Sequence, residues 1–296
     1  MEILHVLREY NQHKMLMQGH SMRTGKKYDY VISRVISLTG VEHIEHVTEQ
    51  HLRKMFLHGR TELCWKSSTY ITIHKALAVF FKWCVQRGYI ETNPVLAIEK
   101  PRLEKRLPGS LTKQDALRLL EVVYNYTYKQ SFERYRNHAL FSVALFAGLR
   151  KQEVLNLRYT DVDIDNRTLF VNQGKGAKDR IIPMCHTLAN SLAKYLTERK
   201  KVHRTCPEFF TSTVRNGGMS MKSLERIVRD IRLASKITFS MHKLRHTFAT
   251  LMLEGGCDIY AISKMMGHAD ISTTTIYLSA NIQHMQSEIM KHPLNA

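Results

Sequence analysis

The sequence contains few cysteines and no long hydrophobic segment. The five cysteines are scattered without a C-x-x-C pair, which excludes a disulfide framework or zinc knuckle and predicts reduced thiols. They are Cys64, Cys84, Cys185, Cys206 and Cys257. No run of about 18 apolar residues is present, so no membrane-spanning helix is predicted. The N-terminus also lacks the pattern of a secretory signal. We therefore expect a cytoplasmic protein with no membrane partner.

Acidic residues are scarce relative to basic ones. The chain has 26 Asp and Glu against 44 Lys and Arg, which gives a formal net charge of +18 and a pI near 9.8. Lysines on exposed helices could explain such a surplus through solubility alone. An excess of this size more often marks a polyanionic partner, and nucleic acid is the commonest one.

Motifs for nucleotide and metal chemistry are also missing. There is no P-loop. His242 and His246 have the i, i+4 spacing of zinc ligands, but the glutamate of H-E-x-x-H is absent and two cations lie between them. Paired carboxylates for a metal-dependent nuclease or phosphatase are not evident either. We predict no metal and no cofactor.

The first part of the chain has a helical pattern. Residues 21–95 show helical periodicity, most clearly at 49–57 and 68–87, where the second helix has one apolar stripe. Ser67 or Ser68 is expected to cap that helix. Four basic side chains lie mostly off the stripe, on a face that is either merely solvated or meets phosphates. They are Lys66, Lys75, Lys82 and Arg87.

A charged segment separates this helical region from the rest. Asn93-Pro94 closes the first region, since the residue before proline disfavours helix. Residues 99–109 contain two prolines and no apolar periodicity, which predicts an extended linker. The predicted division is 1–98 for an N-terminal helical domain, 99–109 for the linker, 110–280 for a second domain and 281–296 for a C-terminal tail.

The second domain is predicted to be helical with one small antiparallel sheet. Thr112 and Asp115 resemble a capping box, and residues 137–149 form an almost wholly apolar helix. Three short β-branched segments, separated by Asp-Asn and Gly-Lys-Gly turns, are expected to pair as strands. They cover 162–164, 168–171 and 180–183. Further helices are expected at 187–201, 220–234, 242–254 and 259–266. The fold class is thus mainly α.

Residues 240–277 bring together side chains that suit phosphodiester chemistry. Separately, a histidine or tyrosine here is most simply explained by packing. His242 and Arg245, however, have the His-x-x-Arg spacing that places both on one helical face. His268 follows an apolar helix, and Tyr277 comes nine residues later (277 − 268).

Taken with two upstream motifs, this stretch resembles the tyrosine recombinases, the phage-integrase-type site-specific recombinases. The shared motifs are HKLRH at 242–246, MGH at 266–268, the tyrosine at 277, AGLR at 147–150 and GKGAKDR at 174–180. The resemblance covers nearly the whole chain and is closest to the Xer-like, two-domain branch. It implies a four-helix, SAM-like N-terminal domain that grips DNA, followed by the catalytic domain.

The resemblance implies a role for each site residue. Tyr277 is the nucleophile that forms a 3′-phosphotyrosine, and Arg150 with Arg245 binds the scissile phosphate. His242 takes the tyrosine proton, while His268 donates a hydrogen bond to the phosphate. Lys175 protonates the leaving 5′ oxygen, although GKGAKDR leaves Lys178 as a rival. Glu153 is expected to orient Arg150 or a neighbouring imidazole, and the expected DNA contacts are Lys66, Lys75, Lys82, Arg87, Lys178 and Arg180.

The partners implied by the resemblance are a double-stranded recombination site and further recombinase subunits. In the tail, Ile282, Met285 and Ile289 form the stripe of a short amphipathic helix. Packing on its own domain is the simplest role for that helix, whereas the family docks it into a neighbouring subunit of a tetramer on two duplexes. A type IB topoisomerase and a catalytically silent DNA-binding protein remain alternatives.

Overall fold

The computed structural model describes residues 1–103, 109–172 and 179–268 together with Thr274, apart from the side chain of Arg23. The chain forms two compact units, Met1–Lys105 and Arg106–Ala296. Helices dominate both units, and the second also contains a three-stranded antiparallel sheet. The predicted fold class is therefore confirmed. No helix within the described ranges is long and apolar enough to cross a membrane.

Four helices build the first unit. They are α1 (Ile3–Gln18), α2 (Met22–Thr39), α3 (Glu49–Thr61) and α4 (Ser67–Gln86), with a 3₁₀ turn at Ile44–His46. The sequence predicts helical periodicity only from residue 21, so α1 is missed. Its buried side chains, which include Val6 and Tyr10, all lie in its first half. Leu16 and Met17 are about three-quarters exposed, 73% and 75%, which obscures the apolar stripe in its second half.

Helix α4 supplies much of the first unit's core. Its predicted stripe is buried, as Leu77 and Phe80 illustrate with no exposed surface. The ring of Phe80 packs edge-on against Tyr10 of α1, with centroids 5.2 Å apart. The predicted serine cap is wrong, because Lys66 occupies the N-cap position and Ser67 is already the first helical residue.

Within its described residues, the second unit has seven helices. They are α5 (Lys113–Asn125), α6 (Ser131–Phe146), α7 (Lys151–Asn156), α8 (His186–Lys201), α9 (Met221–Ser235), α10 (Met241–Glu254) and α11 (Ile259–Met266). Helix α6 is the most buried, and it packs against α5, α8 and α10. The predicted cap of α5 is present, since Thr112 Oγ1 accepts a hydrogen bond from the Asp115 N–H at 3.0 Å.

The sheet lies between α7 and α8 in the chain. Its strands are β1 (Val162–Asp163), β2 (Thr168–Val171) and β3 (Arg180–Pro183), paired antiparallel in the order β1-β2-β3. In the pair formed by β2 and β3, Leu169 lies opposite Ile182, and both side chains are fully buried. Arg180 lies opposite Val171 at the start of β3, and β3 packs against α11. This contact places the first residue of β3 beside the end of α11.

Of the predicted linker, residues 104–108 lie outside the described part of the chain, and 99–103 have no regular secondary structure. The predicted tail helix at 281–296 lies outside it as well. The bounds of the four predicted segments therefore stay predictions.

Candidate active site

Helix α10 carries His242, Arg245 and His246 on its first two turns. Ser240 caps the helix, with its Oγ accepting a hydrogen bond from the Lys243 N–H at 3.1 Å. His242 is exposed and His246 is half-buried one turn later, and their ring centroids are 4.3 Å apart. Arg245 points into the protein, with only 2% of its side chain exposed. The helix thus holds the guanidinium of Arg245 in the protein interior and the imidazole of His242 at the surface.

Arg150 reaches the same region through the short segment that turns at Gly148 and links α6 to α7. Gly148 has a φ of +62°, and a Cβ at this position would lie 2.4 Å from the ring of Phe248. Glycine satisfies both the left-handed backbone and the close approach of α10. The turn brings Arg150 to the N-terminus of α7 with 40% of its side chain exposed.

Glu153 connects three arginines. Its carboxylate accepts a hydrogen bond from Arg150 Nη1 at 2.7 Å and two from Arg180, from Nη1 at 3.1 Å and from Nη2 at 2.8 Å. The Arg150 backbone N–H also donates to it at 2.7 Å, and Arg245 Nη1 lies 4.0 Å away. Burial alone would raise the pKa of Glu153, but these hydrogen bonds and charges outweigh it and lower the pKa to about 2. The carboxylate is therefore ionised at neutral pH.

Besides Glu153, the C-terminal end of α11 also binds the same three arginines. The last carbonyls of a helix lack intrahelical donors and carry partial negative charge. Here three consecutive carbonyls each accept one guanidinium hydrogen bond. Arg180 Nε donates to the Met265 oxygen at 2.7 Å, Arg245 Nη2 to the Met266 oxygen at 2.6 Å and Arg150 Nη2 to the Gly267 oxygen at 2.8 Å. We call Glu153, the three arginines and these three carbonyls the arginine cluster.

His268 follows this helix end directly. Its Nδ1 lies 2.7 Å from Oγ1 of Thr274, a side chain that is almost completely buried. Burial, followed by the charges of Arg245 and Arg150, lowers the pKa of His268 to about 4. The imidazole is therefore neutral at pH 7, with one ring nitrogen able to donate a hydrogen bond.

The two imidazoles of α10 are also shifted towards the neutral form. Although the ring of His242 is largely exposed, neighbouring atoms partly desolvate it, and this effect, followed by the charges of Arg245 and Arg150, lowers its pKa below the ordinary value. Burial, followed by His242 and Arg245, lowers the pKa of His246 to about 4. A neutral His242 that is exposed beside fixed positive charge is suited to accept a proton.

The structure brings five of the predicted catalytic and supporting residues together: Arg150, Glu153, His242, Arg245 and His268. Lys175, Lys178 and Tyr277 lie outside the described residues, so their roles stay predictions. Among the described residues, no group of three or more His, Cys, Asp or Glu side chains is arranged to hold a metal ion.

Arg180 lies in an unexpected environment. It is predicted to contact DNA, whereas only 8% of its side chain is exposed and its guanidinium donates hydrogen bonds to Glu153 and Met265. Its partner Glu153 is 27 residues away, so local spacing gives no signal for the pairing. The contact between His246 and His242 is also new, although their i, i+4 spacing already places the two rings on one face.

The predicted DNA contacts of the first unit lie on exposed surface. All four are on or next to α4: Lys66, Lys75, Lys82 and Arg87. The Arg87 guanidinium stacks over the ring of Trp83, with 5.6 Å between its central carbon and the centroid. Exposed cations on one helix fit either a solvated face or a phosphate-binding face.

Comparisons with known proteins identify the family. Residues 110–284 match the Phage integrase family, and residues 7–91 match the Phage integrase N-terminal SAM-like domain. Tyrosine recombinase XerD of Rickettsia bellii (strain RML369-C) is 32% identical over 229 residues, which cover 73% of this chain and 74% of that protein. The chain therefore belongs to the phage integrase family of tyrosine recombinases and is Xer-like.

Solved structures show the same fold. The crystal structure of XerA recombinase is 25% identical and aligns over 98% of both chains with a TM-score of 0.55. A lambda integrase dimer bound to a COC′ core site is 21% identical. It aligns over 92% of this chain and 97% of that one with a TM-score of 0.72. The chain thus shares its fold with solved members of the family.

Proposed function

We propose that this protein is a site-specific DNA recombinase that cleaves and rejoins strands through a covalent 3′-phosphotyrosine and a Holliday junction. The arginine cluster carries this proposal. It holds Arg150 and Arg245 beside the accessible ring of His242 and the neutral ring of His268. A rigid array of positive charge next to a proton acceptor is what in-line attack on a phosphodiester requires.

In the cleavage step the arginines bind the scissile phosphate. A phosphodiester repels nucleophiles through the negative charge on its non-bridging oxygens, and planar guanidiniums neutralise that charge through paired hydrogen bonds. Arg150 is exposed enough to reach a bound DNA strand, and Arg245 forms the buried floor of the proposed phosphate-binding site. His268 donates its ring N–H to a phosphate oxygen.

Proton transfer accompanies the exchange of bonds. The Tyr277 oxygen attacks phosphorus, and its proton passes to His242 as the new P–O bond forms. The bond from phosphorus to the 5′ oxygen breaks, and Lys175 protonates that oxygen, with Lys178 as the alternative acid. The products are a 3′-phosphotyrosine and a free 5′-hydroxyl. A 5′-hydroxyl from another strand reverses the same steps.

The proposed chemistry uses neither ATP nor a metal ion. The phosphotyrosine retains the free energy of the phosphodiester, so rejoining requires no separate energy source. The arginines provide the positive charge that a divalent cation supplies in many phosphoryl-transfer enzymes. No cofactor is therefore included in the mechanism.

The proposed partners are a double-stranded recombination site and other recombinase subunits, four on two duplexes. The lambda integrase dimer bound to its core site supports DNA as the partner. Exposed cations on or next to α4 are proposed to contact phosphates: Lys66, Lys75, Lys82 and Arg87. The segment 281–296 is proposed to dock on a neighbouring subunit. Either chromosome dimer resolution or integration and excision of a mobile element fits this activity.

Covalent capture tests the proposed function. Purified protein is incubated with sheared genomic DNA of its source organism, denatured, and the DNA that remains attached is sequenced. We expect enrichment of one short sequence with its 3′ end joined to the protein, and a synthetic duplex of that sequence is called the capture duplex. Recovery of no attached DNA above a heat-inactivated control would overturn the proposal.

A further inference from the structure

Arg180 connects three elements of the second unit through one buried side chain. It begins β3, its Nη1 and Nη2 atoms hold both oxygens of Glu153 on α7, and its Nε donates to Met265 at the end of α11. Only 8% of the side chain is exposed. All three of these guanidinium hydrogen bonds go to protein oxygens.

These oxygens also determine where the proposed phosphate-binding arginines lie. Glu153 accepts from Arg150, and the carbonyls next to Met265 in sequence accept from Arg245 and Arg150. Because Arg180 spans both anchors, it fixes the carboxylate relative to the helix end. Loss of Arg180 leaves Glu153 with fewer donors and removes the link between α7 and α11. Glu153 and the carbonyls at the end of α11, which bind Arg150 and Arg245, are then no longer fixed relative to each other.

We propose that Arg180 is a positioning residue. It keeps Glu153 and the end of α11 in the arrangement that orients Arg150 and Arg245 towards the scissile phosphate, and it does not bind DNA itself. This inference rests on the proposed function. It replaces the expectation, implied by the resemblance, that Arg180 contacts DNA.

A neutral substrate separates positioning from general stability. Replacing one non-bridging oxygen of the scissile phosphate by methyl removes the negative charge that the arginines neutralise. On the normal capture duplex, Arg180→Ala should release the 5′-hydroxyl strand about 10²-fold more slowly, as expected for small misplacement of catalytic groups. On the methylphosphonate duplex, the ratio of wild-type to variant rates should move towards one.

Arg199→Ala is the matched control. Arg199 is also buried, but it donates only to backbone carbonyls, such as those of Arg204 and Phe209, away from the arginine cluster. Any loss of rate in this variant should be the same on both duplexes. If Arg180→Ala does not fold, Arg180→Lys serves in its place, since lysine keeps the charge but cannot hold both carboxylate oxygens and the carbonyl.

Salt dependence provides a second readout. A residue that binds a phosphate contributes about 0.9 to the slope of log affinity against log salt concentration. The slope for Arg180→Ala should equal that of the wild type. A slope reduced by one contact, or a rate defect of equal size on both duplexes, would overturn the inference. If the wild-type protein itself fails to cleave the normal duplex, the proposed function fails instead.

Discussion

Replacing Glu153 by glutamine removes the one negative side chain of the arginine cluster while keeping its shape. The structure gives the size of the effect. The pKa of Glu153 falls from 4.5 to about 2 in the folded protein. At 1.36 kcal/mol per pKa unit, the ionised carboxylate contributes about 3 kcal/mol to folding at neutral pH. Breaking a buried ion pair typically costs 3–5 kcal/mol, roughly the same amount. Glu153→Gln should therefore lower the free energy of unfolding by about 3 kcal/mol.

The pH dependence of this contribution has a definite sign. Because the folded pKa lies below the unfolded one, the stabilisation is complete above the unfolded value of 4.5. It is lost as the pH falls towards about 2, where the folded carboxyl takes up its proton. The difference in stability between wild type and Glu153→Gln should therefore be constant above pH 4.5 and shrink below it.

Urea unfolding at a series of pH values measures this difference. Far-UV circular dichroism follows both units, whereas the two tryptophans, Trp65 and Trp83, both lie in the first unit. Their fluorescence transition should be unchanged by Glu153→Gln. As a control, Glu225→Gln removes an exposed carboxylate paired with Lys151 at 3.1 Å, which should cost about 1 kcal/mol or less. A Glu153→Gln variant as stable as Glu225→Gln would refute the role of the carboxylate as an anchor.

Three further predictions concern cleavage and assembly. Partial desolvation and the charges of Arg245 and Arg150 lower the pKa of His242 below 6.5, so the cleavage rate should fall in acid only below pH 6.5. If the rate falls to half its maximum at a pH above that value, His242 is not the base. Lys175→Ala should cleave slowly, and sulfur in place of the 5′ bridging oxygen should restore its rate because a thiolate leaves without an acid. Rescue of Lys178→Ala instead would identify the other lysine as the acid. Truncation after Ala280 should leave binding to one duplex nearly intact but abolish pairing of two duplexes in native gels, and normal recombination by the truncated protein would exclude docking of the tail.

Local patterns predict most of the fold but not the arginine cluster. Helix α11 has the predicted bounds, and α10 begins one residue earlier than predicted, because cap residues and apolar spacing are local signals. Helix α1 is missed because exposed apolar residues such as Leu16 blur its stripe. The pairing of Glu153 with Arg180 depends on β3 packing against α11, a tertiary contact that no local spacing records.

Tyr277→Phe tests whether Tyr277 forms a covalent bond with DNA. The variant keeps the ring and removes only the oxygen that attacks phosphorus. It should bind the capture duplex with wild-type affinity in native gels and form no protein–DNA adduct in denaturing gels. Wild-type protein, under the same conditions, should form the adduct. A full-strength adduct from Tyr277→Phe would contradict the account.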